Sequence, residues 1–191
     1  MDKALEWGHF SHVYISTDIP ALIEQYKDHP KVSVRERPPE MATDDAVMTD
    51  VVLDCISYFK IPNQDFIWLL QPTSPFRLKE DFDSILRMVM RLDVGSIISV
   101  KEVGASHPNR MYTIKQNRLY PLRFTNFDNK QNLIKAFIRN GCFYVSNCQE
   151  FRTRKSFQIE PCVPYLMPEE RSVNIDGPLD LKLAQVVHGK S

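Results

Sequence analysis

The sequence predicts a three-layer α/β domain built around a mostly parallel sheet. Three observations predict it. Short β-rich runs alternate with segments of helical spacing through the first hundred residues, which is the pattern of βαβ units. Residues 66–70, FIWLL, are apolar without a break, as a strand buried on both faces is. The chain has 191 residues, 43% of them apolar, which suits one domain with a sizeable core.

The elements follow in order. HVYIS (12–16) is a short strand. TDIPALIEQY reads as a helix, with Asp18 as N-cap and Pro20 in the first turn, where its missing N–H costs little. KVSVRERP alternates at Val32 and Val34 and stops at prolines. Within TDDAVMTDVVLDCISYF (43–59), Met48, Val51, Val52, Cys55, Ile56 and Phe59 keep helical spacing. FIWLL is the next strand, Phe82, Ile85, Leu86, Val89 and Met90 the next helical stripe, and GSIISV (95–100) a further strand. RMYTIKQNRLYPL then predicts a hairpin turning at Gln116 and Asn117, followed by the polar stretch TNFDNKQNLIKAF. A strand is expected at Cys142 to Val145 and a last extended segment in PCVPYLMP. NIDGPLDLKLAQVVHG predicts a closing helix, its apolar face made by Leu179, Leu183, Val186 and Val187 and its stop by Gly189.

Composition narrows the function classes. The formal net charge is zero, so no global field draws the chain to nucleic acid or to a membrane surface. No apolar stretch approaches the roughly 20 residues of a membrane span, and MDKALEWGHF has no signal-peptide apolar region. Cys55, Cys142, Cys148 and Cys162 include no CxxC pair, which fits reduced thiols in a cytoplasmic protein. His9 and His12 lack further ligands nearby to complete a zinc site. No serine or cysteine stands in a recognisable nucleophile setting.

Four segments carry candidate chemistry, each beside a plainer alternative. QPTSPFR (71–77) follows the buried strand, and ligands in open α/β sheets sit beyond strand carboxyl ends. Gln71 both donates and accepts hydrogen bonds, and Pro72 and Pro75 fix the backbone; a rigid strand–helix connector uses the same residues. RERPPEMATDDA (35–46) offers Arg37, whose planar fork suits a base or phosphate, or else a solvated loop. In FIRNGCFYV (137–145), Gly141 permits close approach to a ligand that Asn140 can contact; Asn-Gly is also an ordinary turn. Asn174 and Asp176 in SVNIDGPLDL share one side of an extended segment. An amide and a carboxylate there can hold a hard divalent cation, or Asp176 simply caps the helix behind it.

In their order and spacing, STD, RPPEMATD, LLQPTSPFR, RNGCFYV and NIDGPLDL resemble the acylneuraminate cytidylyltransferase family, the CMP–sialic acid synthetases. LLQPTSPFR is the most specific piece. The resemblance runs from Val13 to about Ala184. It implies a Rossmann-like fold of the nucleotide-diphospho-sugar transferase kind. It also implies a cytoplasmic homodimer that joins CTP to an acidic nine-carbon α-keto sugar with Mg2+, giving the CMP-sugar and pyrophosphate. Such catalysis is positioning and charge neutralisation.

Residue by residue, the resemblance makes Arg37 and the turn at Ala46 part of the cytosine pocket. Gln71 and Asn140 become sugar contacts, Gln71 acting with Asp176 at the reacting centre. Asp176 becomes the magnesium ligand, with Asn174 where many members carry a second Asp. Lys130 and Gln131 fall near an arginine of the sugar pocket. Residues 105–137 become a dimerisation or substrate-lid insertion.

The departures are specific. Asn174 removes a charge from the metal site, Met48 replaces a small hydroxyl residue beside the base, and Lys130 lacks the bidentate grip of arginine. The family's opening strand and glycine-rich phosphate loop have no counterpart, and MDKALEWGHF resembles the end of the helix that follows them. A β-loop-α segment of about 30–40 residues is therefore expected upstream, with Arg37 and Arg77 the charges left to meet the triphosphate. The 191 residues alone are then expected to be poorly stable and inactive. The readings that compete are transfer to another sugar and a non-catalytic remnant that binds or dimerises.

Overall fold

The computed structural model describes residues 2–91, 93–122 and 134–189. Its elements are α1 (Asp2–Trp7), β1 (Val13–Thr17), α2 (Pro20–Tyr26), β2 (Val32–Glu36), α3 (Met48–Tyr58), β3 (Phe66–Leu69), α4 (Lys79–Arg91), β4 (Ser96–Glu102), β5 (Tyr112–Lys115), β6 (Arg118–Pro121), β7 (Phe137–Asn147), α5 (Cys148–Arg154), β8 (Cys162–Leu166) and α6 (Pro178–His188). The class is α/β, as the alternation predicts.

The strands form three sheets rather than one. β1 pairs with β2 in parallel, and β5 with β6 antiparallel. The main sheet has the order β3-β7-β4-β8. β7 runs antiparallel to both β3 and β4, and β8 is parallel to β4, so three of the four strands point one way. A continuous parallel sheet is thus interrupted by the one strand that arrives from the hairpin region. Among the described residues β1 and β3 each pair on one side only.

β3 shows why a strand can be apolar without a break. Phe66, Trp68 and Leu70 pack on one face with Trp7, Phe82, Ile85, Ile97, Phe143 and Val145. Ile67 and Leu69 pack on the other with Ile56, Cys148, Phe151 and Ile159. Side chains alternate along a strand, so both faces need apolar residues when helices cover both. α1 belongs to the first layer: Trp7 packs on Phe82 with ring centroids 5.3 Å apart and planes tilted by 30°, and donates its indole N–H to Asp83 at 2.7 Å. On β2, Arg35 pins α3 with a two-pronged bond to Asp54, at 2.5 and 3.0 Å, and lies 4.0 Å from the Tyr58 ring.

α3 begins at Met48, the first residue of the helical stripe, after a short 3-10 turn at Pro39–Met41. Several local expectations change. The N-cap of α2 is Ile19, whose N–H is taken by Thr17 Oγ1 at 3.1 Å, so Asp18 does not cap. Leu179, Leu183 and Val186 on α6 are exposed, and Ala184 is the residue that α6 buries. The hairpin turns where predicted: Gln116 and Asn117 have φ of 49° and 59°, the pair of positive values that a type I′ turn requires.

Candidate active site

The site begins where β3 ends. The loop behind Leu69 folds onto β7 because Arg77 holds it there. Its Nε donates to the main-chain oxygen of Cys142 at 2.7 Å and its Nη2 to that of Gln71 at 2.6 Å. Arg77 is 9% exposed, and burial pushes its guanidinium pKa down. Two of its N–H groups are held by carbonyls inside the fold, where the sequence suggests a cation turned toward a triphosphate. Ser74, fully buried, donates toward the main-chain oxygen of Asn140 at 3.2 Å and lies 3.4 Å from Asn174 Oδ1. The N–H of Ile175 donates to Thr73 oxygen at 2.8 Å. The loop therefore joins the segment that carries Asn174 and Asp176.

A bulge in β7 completes the cluster. Ile98 of β4 pairs with Tyr144, and Val100 with Arg139, so Ser99 alone lies opposite residues 140–143. Such a bulge lets one strand re-aim its residues. Gly141 sits on it with φ of +77°; a Cβ there would fall 2.7 Å from Gln71 Oε1, 2.8 Å from Ser74 Oγ and 3.4 Å from Asn174 Oδ1. That backbone angle favours glycine, and any larger residue would also push the Gln71 and Ser74 side chains aside.

The sequence places Asn140 against the sugar, but the structure turns its amide inward. Asn140 is 3% exposed. Its Oδ1 accepts from Ser99 Oγ at 2.6 Å and from the Cys142 N–H at 3.2 Å, and its Nδ2 donates to Ser172 Oγ at 2.8 Å.

Asn174 and Asp176 share one side, as alternation predicts. Asn174 Nδ2 donates to Asp176 Oδ2 at 2.6 Å. Asp176 does not cap α6. The N-cap is Gly177, and it is Asp180 that reaches back, accepting the Asp176 N–H at 3.1 Å. The Asp176 carboxylate is exposed and is a hard oxygen donor, and Asn174 offers a second oxygen if its amide turns over. One carboxylate and one amide suit magnesium, which keeps waters and takes phosphate oxygens for the rest of its octahedron. Among the described residues no group of three or more His, Cys, Asp or Glu is placed to hold a metal ion.

Behind this segment lies Asp81, 1% exposed. It accepts from the Leu78 N–H and the Tyr165 hydroxyl, both at 2.8 Å, and from Arg171. Burial and then this bond hold the Tyr165 hydroxyl neutral, pushing its pKa up to about 12.

The other half of the site stands on the small sheet. Arg37 donates Nη2 to Ser16 oxygen at 2.6 Å and Nε to Ser16 Oγ at 3.2 Å. It lines a cavity of about 460 Å³ with Asp18, Glu36, Pro38, Pro39 and Ala42. Ala46 closes a turn onto Thr43 oxygen at 3.1 Å; Ala42, not Ala46, reaches the cavity wall. Lys130 and Gln131 lie outside the described residues. Sequence reasoning missed Ser99, Asp81, Ser172 and Asp180, and gave Ser74 only a part in the strand–helix connector. Their one advance signal is position: each lies at or beside the end of a predicted strand or helix.

The fold and this strand-end cluster are those of an α/β protein, and the fold is similar to that of solved cytidylyltransferases. Among solved structures, the 2-C-methyl-D-erythritol 4-phosphate cytidylyltransferase of Francisella tularensis matches with a TM-score of 0.67 at 10% identity, covering 97% of this chain and 86% of that one. A CMP:2-keto-3-deoxy-manno-octonic acid synthetase complexed with CTP matches with a TM-score of 0.62 at 11% identity, covering 99% and 85%. At those identities the likeness is of fold alone.

Sequence carries the relationship further: the chain is a homologue of acylneuraminate cytidylyltransferases. That of Streptococcus agalactiae is 30% identical over 181 residues, 92% of this chain and 43% of the relative. The CMP-N,N'-diacetyllegionaminic acid synthase of Legionella pneumophila is 26% identical over 187 residues, 95% of this chain and 80% of that protein. The chain thus spans less than half the length of the streptococcal relative. No family model matches it.

Proposed function

We propose that the chain is a CMP-sugar synthetase, transferring the cytidylyl group of CTP to an acidic nine-carbon sugar. The observation that carries this is the meeting of Gln71, Gly141, Asn174 and Asp176 beside the β7 bulge. A neutral hydrogen-bonding side chain suited to a sugar stands there beside an oxygen pair suited to a metal–phosphate complex.

In this reading Arg37 and the turn at Ala46 face the cytosine end, and Gln71 binds the sugar. Lys130 and Gln131 add to the sugar side. The sugar hydroxyl forms a bond to the α-phosphorus while the bond to the β-phosphate oxygen breaks, pyrophosphate leaves, and the hydroxyl proton passes to solvent. Asp176, with the oxygen of Asn174, would hold magnesium, which when bound offsets charge on the phosphates. Arg77 keeps the main chain at Gln71 in place, so the reactants are oriented with little movement.

The protein is proposed to work in the cytoplasm as a homodimer, with residues 105–137 as the dimerisation or lid segment. The hairpin supports this reading, because Tyr112, Ile114 and Leu119 are 54%, 72% and 65% exposed. The same exposure is what a purely binding or dimerising module would show, and it keeps that second reading alive.

The test is magnesium-dependent pyrophosphate release from CTP with sialic and legionaminic acids, run beside a thermal-shift titration with CTP. Release with a nine-carbon acid supports the proposal, and release with another sugar only redirects the acceptor. A folded dimer with neither release nor a CTP shift, even when the expected upstream β-loop-α segment is supplied, overturns it in favour of the binding module.

A further inference from the structure

We infer that Asn140 is a positioning residue: it sets the geometry of the sugar side and of the metal side together. The inference deepens the proposed function, since it assigns roles to the two sides of that site.

The amide of Asn140 stands between three parts of the chain. Toward β4 its Oδ1 takes the Ser99 hydroxyl, and Ser99 Oγ in turn accepts the Phe143 N–H at 2.7 Å. Ser99 lies opposite four residues of β7, where ladder bonds are missing, and its hydroxyl substitutes for them. That fixes the shape of the bulge, and so where Gly141 meets Gln71 and Ser74.

Toward the carboxyl-terminal segment, Asn140 Nδ2 donates to Ser172 Oγ, and the Ser172 hydroxyl donates to Pro168 oxygen at 2.8 Å. Ser172 is two residues before Asn174 and four before Asp176. The main-chain oxygen of Asn140 also accepts from Ser74. Ser99, Asn140 and Ser172 are 0%, 3% and 3% exposed, so these bonds are shielded from competing water. A side chain so engaged couples the bulge to the metal segment, because moving either one breaks bonds to the same amide.

The experiment needs no ligand at first. Amide hydrogen exchange is measured in the 191-residue chain and in Asn140→Ala, Ser99→Ala and Ser172→Ala, with the amides of α4 reporting global opening. Ser99→Ala should speed exchange at Phe143 tenfold or more and leave Ile175 unchanged. Ser172→Ala should do the reverse, releasing Ile175 from Thr73. Asn140→Ala should release both while α4 keeps its protection. If Asn140→Ala opens globally, the two serine variants decide the matter.

A second arm reads Mn2+ binding in the presence of CTP, and binding of the nine-carbon acid. Asn140→Ala should weaken both several-fold, Ser172→Ala the metal only, and Ser99→Ala the sugar only. Unchanged exchange in the serine variants overturns the inference. So does an Asn140→Ala protein with normal exchange and metal binding that has lost only the sugar, since that is the behaviour of a direct contact. A wild-type chain that binds neither Mn2+–CTP nor the sugar would instead count against the proposed function, and the exchange arm would still judge Asn140.

Discussion

Arg77 Nη2 donates to the main-chain oxygen of Gln71 at 2.6 Å, so the residue read as a sugar contact is held in place by a buried cation six positions later in its own loop. The other arm of the same guanidinium reaches Cys142 oxygen. Arg77→Met takes the guanidinium donor from both carbonyls, leaving Gln71 oxygen only the long bond from the Ser74 N–H at 3.3 Å, and a buried polar group left unsatisfied costs about 1–3 kcal/mol. Arg77→Lys keeps the charge but lacks the fork that spans two acceptors. Urea midpoints should therefore fall in the order wild type, Arg77→Lys, Arg77→Met. An unchanged midpoint in Arg77→Met would mean the loop is held by something else.

Gly141→Ala is expected to harm the site more than its size suggests. The left-handed backbone alone costs a non-glycine residue about 1–2 kcal/mol. The new methyl would also lie 2.7 Å from Gln71 Oε1 and 2.8 Å from Ser74 Oγ. Gln71 must then move, so the KM for the sugar should rise more than that for CTP. Equal kinetics with only a lower melting temperature would remove Gln71 from the sugar side.

Asp176 can be separated from helix capping. α6 has Gly177 as its N-cap and no side-chain cap bond, so Asp176→Ala should leave the melting temperature nearly unchanged while magnesium-dependent turnover disappears. Asn174→Asp replaces the 2.6 Å donor bond to Asp176 with a second carboxylate. Without magnesium that variant should melt lower than wild type at neutral pH, and magnesium should raise its melting temperature more than it raises the wild type's. A variant whose stability ignores magnesium would move the metal elsewhere.

Tyr165 supplies a pH signature. Its folded pKa is pushed from 10.0 to about 12, by burial first and then by the bond to Asp81. The neutral phenol is the form the fold favours. The stabilisation is thus complete below pH 10 and lost as pH rises from 10 toward about 12. Tyr165→Phe should flatten that alkaline limb and remove one late-ionising tyrosine from the ultraviolet titration. It should also cost about 1.5–3 kcal/mol at neutral pH, the range for a hydrogen bond to a charged group. An unaltered titration would place the late tyrosine elsewhere.

The hairpin reading is tested by charge. Ile114→Glu and Leu119→Glu place carboxylates on the exposed apolar side of β5 and β6. In sedimentation they should convert a dimer to monomers with the circular dichroism of the main fold unchanged. A dimer that survives both substitutions is built on another surface.

Much of this was legible before any coordinates. The β-α alternation follows from side-chain period, which each segment carries locally: FIWLL needs two apolar faces wherever it lies. The turn at Gln116 and Asn117 is likewise a local matter of backbone angle. The order of LLQPTSPFR, RNGCFYV and NIDGPLDL was enough to find the homologues. Spacing alone put Asn174 beside Asp176.

Tertiary structure decided what depends on partners distant in the chain. The sequence says that Arg77 is charged, but only the approach of β7 makes it a buried clamp for Gln71. It says that Asn140 is polar, but Ser99 and Ser172 turn the amide inward from 41 and 32 residues away. It offers Asp18 and Asp176 as caps, yet Ile19 and Gly177 hold the N-cap positions and neither helix has a side-chain cap bond. Local periodicity fixes what each segment can become, because backbone geometry is a property of neighbouring residues. The direction of a hydrogen bond is set by whichever donor or acceptor the fold brings within 3 Å, and no local rule contains that.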